Sequence, residues 1–245
     1  MKCLILAAGY ATRLYPLTEN FPKPLLEVGG KTILDWLIED VEKTGEVDEY
    51  IVISNAKFAH HFEKWAAVHT ANITVVNDGT TSNETRLGAV MDIKFACDKL
   101  SLSGDMLILA GDNLLDFSLA PFISYAKNKG ASAIMRYYEP ERARLLKCGV
   151  VTLGDDERVL KMTEKSPNPA TNWCVPPFYY YTAEASALIG EAIKDGCHVD
   201  APGSYIAWLA EKLPVYAMEM PGSRYDIGNL ESYERVKREY RGITV

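Results

Sequence analysis

The sequence predicts an α/β protein: a mostly parallel sheet flanked by helices, followed by a late antiparallel lobe. Three observations lead there. Apolar, strand-type runs alternate with helical patterns through about the first 138 residues, the mark of βαβ units. The first apolar run, Cys3-Leu4-Ile5-Leu6, ends in the small residues Ala7-Ala8-Gly9. Beyond residue 138 the pattern changes to a hairpin and further short strands.

Taken in order, strands are expected at Lys2–Ala7, Glu49–Ser54, Ile73–Asn77, Met106–Ala110 and Ser132–Tyr138, with helices between them at Ile33–Thr44, Phe58–Ala67, Arg86–Leu100 and Leu119–Lys129. Gly29-Gly30 reads as a turn, with Thr32 and Asp35 capping the first helix. Gly45 suits its C-terminal end. In Arg86–Leu100, Leu87, Val90, Met91 and Phe95 fall on one face. Cys148–Leu153, the turn Gly154-Asp155-Asp156 and Val159–Thr163 read as the hairpin. A strand at Val175–Thr182, helices Ala183–Lys194 and Ser204–Lys212, a strand at Val215–Met220 and a final helix with Leu230, Tyr233, Val236 and Tyr240 on one face complete the reading. No repeat, low-complexity stretch or linker interrupts it, so the expectation is one domain of 245 residues.

The totals exclude several classes. Hydrophobic residues make up 48%, enough for a substantial core, and 33 acidic residues against 26 basic give a net charge of −7. A general nucleic-acid binder would be basic. The five cysteines, Cys3, Cys97, Cys148, Cys174 and Cys197, are scattered and form no Cys-x-x-Cys pair. A reduced, cytoplasmic protein is the expected setting. The first apolar run is too short for a signal peptide, and no run approaches a membrane span. No nucleic acid and no membrane are therefore expected as partners. The oligomeric state is open, a homo-oligomer included.

Chemistry concentrates at the first strand's end. Small residues at Ala7, Ala8 and Gly9 let backbone N–H groups approach a ligand, at the edge where open α/β sheets bind. Arg13 and Lys23, ten residues apart on the loop that follows, suit a ligand with several phosphates. The better-known phosphate loops do not fit. The dinucleotide fingerprint needs three glycines where only Gly9 stands, and Leu25 stands where a P-loop ending at Gly30-Lys31-Thr32 would need its first glycine. Asp112 follows Met106–Ala110, and Asp226 lies between a strand and a helix. A carboxylate at a strand tip is well placed to hold a divalent cation. The polar run from Asn77 through Asn83 to Gly88 can hydrogen-bond the edge of a base.

Leu6-Ala7-Ala8-Gly9-Tyr10-Ala11-Thr12-Arg13-Leu14, then Pro16-Leu17-Thr18 and Pro22-Lys23-Pro24-Leu25, resembles the signature of the nucleoside-diphosphate-sugar pyrophosphorylases. These are the sugar-1-phosphate nucleotidylyltransferases, with the phosphocholine cytidylyltransferases as relatives. Ala11 stands where that family usually has glycine. The resemblance covers essentially the whole chain and implies the nucleotide-diphospho-sugar transferase fold. Its Rossmann-like NTP-binding half would be about 1–138 and its acceptor-binding half about 139–245, with no C-terminal β-helix. It also implies Mg²⁺ on Asp112 and Asp226. In Glu164-Lys165 the glutamate would bind the acceptor's hydroxyls and the lysine its phosphate, although Ser166 separates this pair from the family's proline. Gly149 would lie on the strand behind the acceptor.

The expected function is transfer of a nucleotidyl group from an NTP to a phosphomonoester, most simply a sugar 1-phosphate, releasing pyrophosphate. Arg13, Lys23 and Lys165 would carry the chemistry and Mg²⁺ would assist. A second reading keeps the chemistry and takes CTP with phosphocholine. It draws on the polar Ser82-Asn83 and on Trp173, Phe178 and Tyr179–Tyr181, with Asp200, as a cage for a quaternary ammonium. A third is a non-catalytic nucleotide-sensing subunit. His60, His61 and His69 lack metal-ligand spacing and read as surface or packing residues.

Overall fold

A computed structural model describes residues 1–244. In chain order the elements are β1 (Lys2–Leu6), β2 (Glu27–Val28), β3 (Lys31–Thr32), α1 (Ile33–Glu42), β4 (Glu49–Ser54), α2 (Ala59–Ala66), β5 (Ile73–Asn77), α3 (Ala89–Leu100), β6 (Met106–Ala110), β7 (Asn113–Leu115) and α4 (Ala120–Lys129). There follow β8 (Ser132–Tyr138), α5 (Arg142–Leu145), β9 (Gly149–Leu153), β10 (Val159–Glu164), β11 (Trp173–Val175), β12 (Phe178–Tyr181), α6 (Ala183–Lys194), α7 (Gly203–Leu209), β13 (Val215–Glu219), β14 (Arg224–Asp226) and α8 (Leu230–Glu239). The mixed α/β architecture, helix-flanked with a late antiparallel part, is the one the sequence predicts. The chain folds into two compact units, one of residues 1–86, 110–120 and 221–245, the other of 87–109 and 121–220.

In the first unit β5, β4 and β1 run parallel, with Lys2 opposite Glu49 and Tyr50 opposite Ile73. Cys3, Leu4, Ile5 and Ile51–Ile53 are fully buried, as continuous apolar runs in a parallel sheet must be. Helix α1 starts on a reciprocal cap. Thr32 Oγ1 accepts from the Asp35 N–H, while Asp35 accepts from the Thr32 N–H. Asp35 also accepts from Trp65 Nε1 and meets His69 Nε2, each at 2.8 Å, so His69 is a packing residue. The tail of the chain returns to this unit. Strand β14 pairs with β7, and Tyr233 and Val236 of α8, with Tyr240 just past its end, join a buried cluster with Leu14, Leu26, Val28 and Ile33, whereas Leu230, expected on the same face, is exposed. Tyr233 and Tyr240 donate to the carbonyls of Glu27 and Leu115.

In the second unit the strand order is β10-β9-β11-β8-β12-β6, with β13 parallel to β8 and the other pairs antiparallel. Two expectations need correction. The strand foreseen at Val175–Thr182 is two strands, because Pro176-Pro177 supplies no N–H for a ladder. Helix α3 begins at Ala89, not Arg86. Its buried residues are Val90, Asp92, Ile93 and Ala96, and Met91 and Phe95 are half-exposed.

Gly88 sets that late start. Its φ is +92°, a conformation open in practice to glycine. A Cβ there would sit 2.6 Å from the Val199 carbonyl oxygen and 2.9 Å from the Asp200 Cα. Both obstacles are backbone. Gly88→Ala should therefore destabilise the protein by about 3 kcal/mol or more, the sum of left-handed strain and a forced backbone shift. A urea unfolding midpoint within error of wild type would refute this.

Candidate active site

The site is built on the carboxyl end of β1. Ala7 donates its N–H to the Ile53 carbonyl. The chain then leaves the sheet and turns at Ala11, whose φ of 46° and ψ of 41° are left-handed. Ala11's carbonyl closes the turn by accepting from the Leu14 N–H and from Thr18 Oγ1 at 2.8 Å. The turn is thus formed without the glycine its position favours. Ala11→Gly should relieve about 1 kcal/mol of strain, read as a raised unfolding midpoint. Arg13 projects from the short helical turn Thr12–Leu14 and is exposed.

A cavity of about 410 Å³ opens there, lined among others by Gly9, Arg13, Lys23, Asn83, Arg86 and Asp112. That size suits a nucleotide. Lys23, on the turn Lys23–Leu25, is buried at 7% exposure, and its Nζ lies 2.7 Å from Asp112 Oδ2. Asp112 keeps an open side, with 43% of its side chain exposed. Its other oxygen accepts from Asn113 Nδ2 at 2.8 Å, and Asn113 Oδ1 accepts from Arg224 Nη1 at 2.7 Å. Burial pushes the Asp112 pKa up, but the charge and hydrogen bond of Lys23, with the Arg224 charge, outweigh it and hold the carboxyl below its ordinary value.

The structure brings together Ala7, Gly9, Arg13, Lys23, Asn83 and Asp112 around this cavity. It leaves out others. Ala8 turns its carbonyl to Asn55 Nδ2. Asn77 folds back to accept from the Gly79 N–H. Gly88 is packed against Val199 and Asp200 in the second unit. Asp226 does not line the cavity, although Ile227 and Gly228 do; on β14 it stands opposite Asn113, the neighbour of Asp112. Arg86 and Arg224 were not singled out from sequence. Arg86 carries a positive charge at the end of the Asn77–Gly88 run, and Arg224 sits two residues before Asp226 on one strand face, which are the only signals they gave.

Among the described residues no cluster of three or more acids, cysteines or histidines could cage a metal. One ionised, half-open carboxylate nevertheless fits the donor pattern of Mg²⁺, which takes one or two carboxylates and completes its shell with water and substrate phosphates.

In the second unit Gly149 and Glu164 are register partners on β9 and β10, and Lys165 follows with its N–H donated to the Cys148 carbonyl. Sequence reading missed Gly203 here. It opens α7, and a Cβ on it would collide with Glu164 Oε1. Burial raises the Glu164 pKa, partly offset by the Lys165 charge. A raised acid pKa means that ionisation costs the folded protein stability. The penalty is complete above the folded pKa and gone below the unfolded one. Glu164→Gln should raise the melting temperature at neutral pH and lose that advantage toward pH 4; an equal gain over wild type at both pH values would contradict this.

The aromatic cage is corrected. Phe178, Tyr179, Tyr180 and Tyr181 are core residues with at most 2% exposure, and the ring of Trp173 is already covered by Arg136, 4.4 Å away. None of the helices described is long and apolar enough to cross a membrane.

The chain matches the model of the nucleotidyl transferase family over residues 2–242. It is 34% identical over 168 residues to the bifunctional protein GlmU of Methanococcus vannielii, covering 69% of this chain and 36% of that protein. The chain thus spans between a third and a half of the length of the GlmU relatives it matches. It is 25% identical over 256 residues to the UTP–glucose-1-phosphate uridylyltransferase AglF of Haloferax volcanii, covering 100% of this chain and 98% of that one. In structure it resembles the UTP-bound UGPase of Acinetobacter baumannii, with a TM-score of 0.78 at 18% identity over 98% of this chain and 92% of the other; at that identity the likeness speaks to the fold. With the family model matched over all but a few terminal residues, this chain belongs to the nucleotidyl transferase family.

Proposed function

We propose that this protein joins an NTP to a sugar 1-phosphate, giving an NDP-sugar and pyrophosphate. The observation that carries the reading is the gathering of Arg13, Lys23 and Asp112 around one nucleotide-sized cavity at the tip of β1. The similarity to the glucose-1-phosphate uridylyltransferase of Haloferax volcanii supports the sugar phosphate as acceptor.

An ionised acceptor phosphate is already a nucleophile, so no general base is required. Its oxygen forms a bond to the α-phosphorus of the NTP while the bond to the bridging oxygen of pyrophosphate breaks. What the protein supplies is placement and charge. Arg13 neutralises charge on the α-phosphate and the departing pyrophosphate. Lys23 holds the triphosphate, with backbone N–H groups near Gly9 beside it. Asn83 reads the base edge. In the second unit Glu164 accepts from acceptor hydroxyls and Lys165 holds the acceptor phosphate against the Gly149 strand. Asp112, with Asp226 opposite its neighbour Asn113 on the paired strand, would hold Mg²⁺, which when bound supplies charge neutralisation on phosphate oxygens. A cytoplasmic setting, the source of such substrates, is part of the same reading.

The burial of Tyr179–Tyr181 removes the main support for phosphocholine. The test is pyrophosphate release with four NTPs against glucose 1-phosphate, other sugar 1-phosphates and phosphocholine. Release with a sugar phosphate is expected. Release with phosphocholine and CTP alone, or binding without any release, would overturn the reading.

A further inference from the structure

The pair at the centre of the site leads further than either of its residues. Asp112 meets a donor on each of its oxygens, the Lys23 ammonium on Oδ2 and the Asn113 amide on Oδ1. The Asn113 orientation is fixed, because Arg224 donates to its oxygen and so turns the amide nitrogen toward Asp112. A dication placed on this carboxylate would lie within a few ångströms of the ammonium and be repelled by it. The carboxylate is therefore already neutralised by the chain's own cation.

We propose that Lys23 and a divalent cation compete for Asp112, so that the cation is admitted once a triphosphate has drawn the Lys23 ammonium off the carboxylate. Both residues line the same cavity. A triphosphate there offers Lys23 a stronger partner than one carboxylate. Pro22 and Pro24 stiffen the backbone on either side of Lys23, so the exchange is a swing of the four-carbon side chain. Asn113 and Arg224 are positioning residues: they hold the carboxylate in place as the lysine leaves. The cation then arrives with the nucleotide rather than before it. The inference rests on the assignment of Asp112 to a metal in the reading above.

The experiment is Mn²⁺ binding to the nucleotide-free protein, followed by the electron paramagnetic resonance signal of free Mn²⁺. Wild type should bind weakly. Lys23→Met should bind about tenfold more tightly, the effect of a partly exposed ion pair of about 1.4 kcal/mol. Lys23→Arg should match wild type. Lys23→Gln, which keeps a donor without the charge, gives the same reading if the methionine variant does not fold. Adding Asp112→Asn to Lys23→Met should abolish the gain. Equal affinity in wild type and in the neutral variants would overturn the competition. A gain that survives Asp112→Asn would instead place the metal elsewhere and overturn the assignment of Asp112 itself.

Discussion

Arg13→Ala should lower kcat about a thousandfold while leaving stability within about 0.5 kcal/mol of wild type. The asymmetry follows from where Arg13 sits. It is exposed at the cavity wall, so folding loses nothing when it goes. A guanidinium facing a reacting phosphate is worth far more, because charge grows on the phosphate oxygens as the bond breaks. Arg13→Lys should recover only part of the rate, since an ammonium cannot span two oxygens at once. Steady-state kinetics with a matched urea titration checks both halves. A kcat within a few-fold of wild type would remove the residue at the centre of the proposed chemistry.

Asp112→Asn should lower kcat by about a thousandfold or more and also change stability, since it touches both catalysis and the Lys23 pair. Lys23 is buried and would lose the carboxylate it pairs with. Because Asp112 is half-open to solvent, the expected loss is about 1–2 kcal/mol, less than for a fully buried pair. The pH dependence has a definite sign. The Asp112 pKa is held below its ordinary value in the folded state, so its contribution is present above the unfolded value of 3.8 and is lost as pH falls through the folded one. Asp112→Asn should therefore destabilise at neutral pH and become harmless in acid. A stability gap that persists unchanged to pH 2 would contradict the ion pair.

Much of this was legible in the chain. The strands Glu49–Ser54, Ile73–Asn77, Met106–Ala110 and Ser132–Tyr138 have the bounds their sequence predicts, because each is an apolar run closed by polar or small residues at or beside its ends. Arg13, Lys23 and Asp112 stood out through residue type and local context. The errors have tertiary causes. The helical periodicity of α3 extends back through Arg86 and Leu87, yet Gly88 packs on Val199 and Asp200 and holds the backbone at positive φ. The tyrosines of β12 looked amphipathic enough for a binding cage, yet their strand lies between β6 and β8, and all of them are buried. The Lys23–Asp112 pair joins positions 89 apart in sequence, and no local pattern encodes that meeting. Gly203 drew no notice for the same reason, since its need for a bare Cα comes from Glu164.

The most direct test is a crystal structure with an α,β-methylene NTP, in which the bond to be broken is replaced by one the enzyme cannot cleave. The triphosphate should lie in the cavity beside Gly9, its α-phosphate within hydrogen-bond reach of Arg13, with Lys23 Nζ moved from Asp112 onto phosphate oxygens. A nucleotide bound elsewhere, with Arg13 facing solvent and Lys23 still on Asp112, would contradict the account.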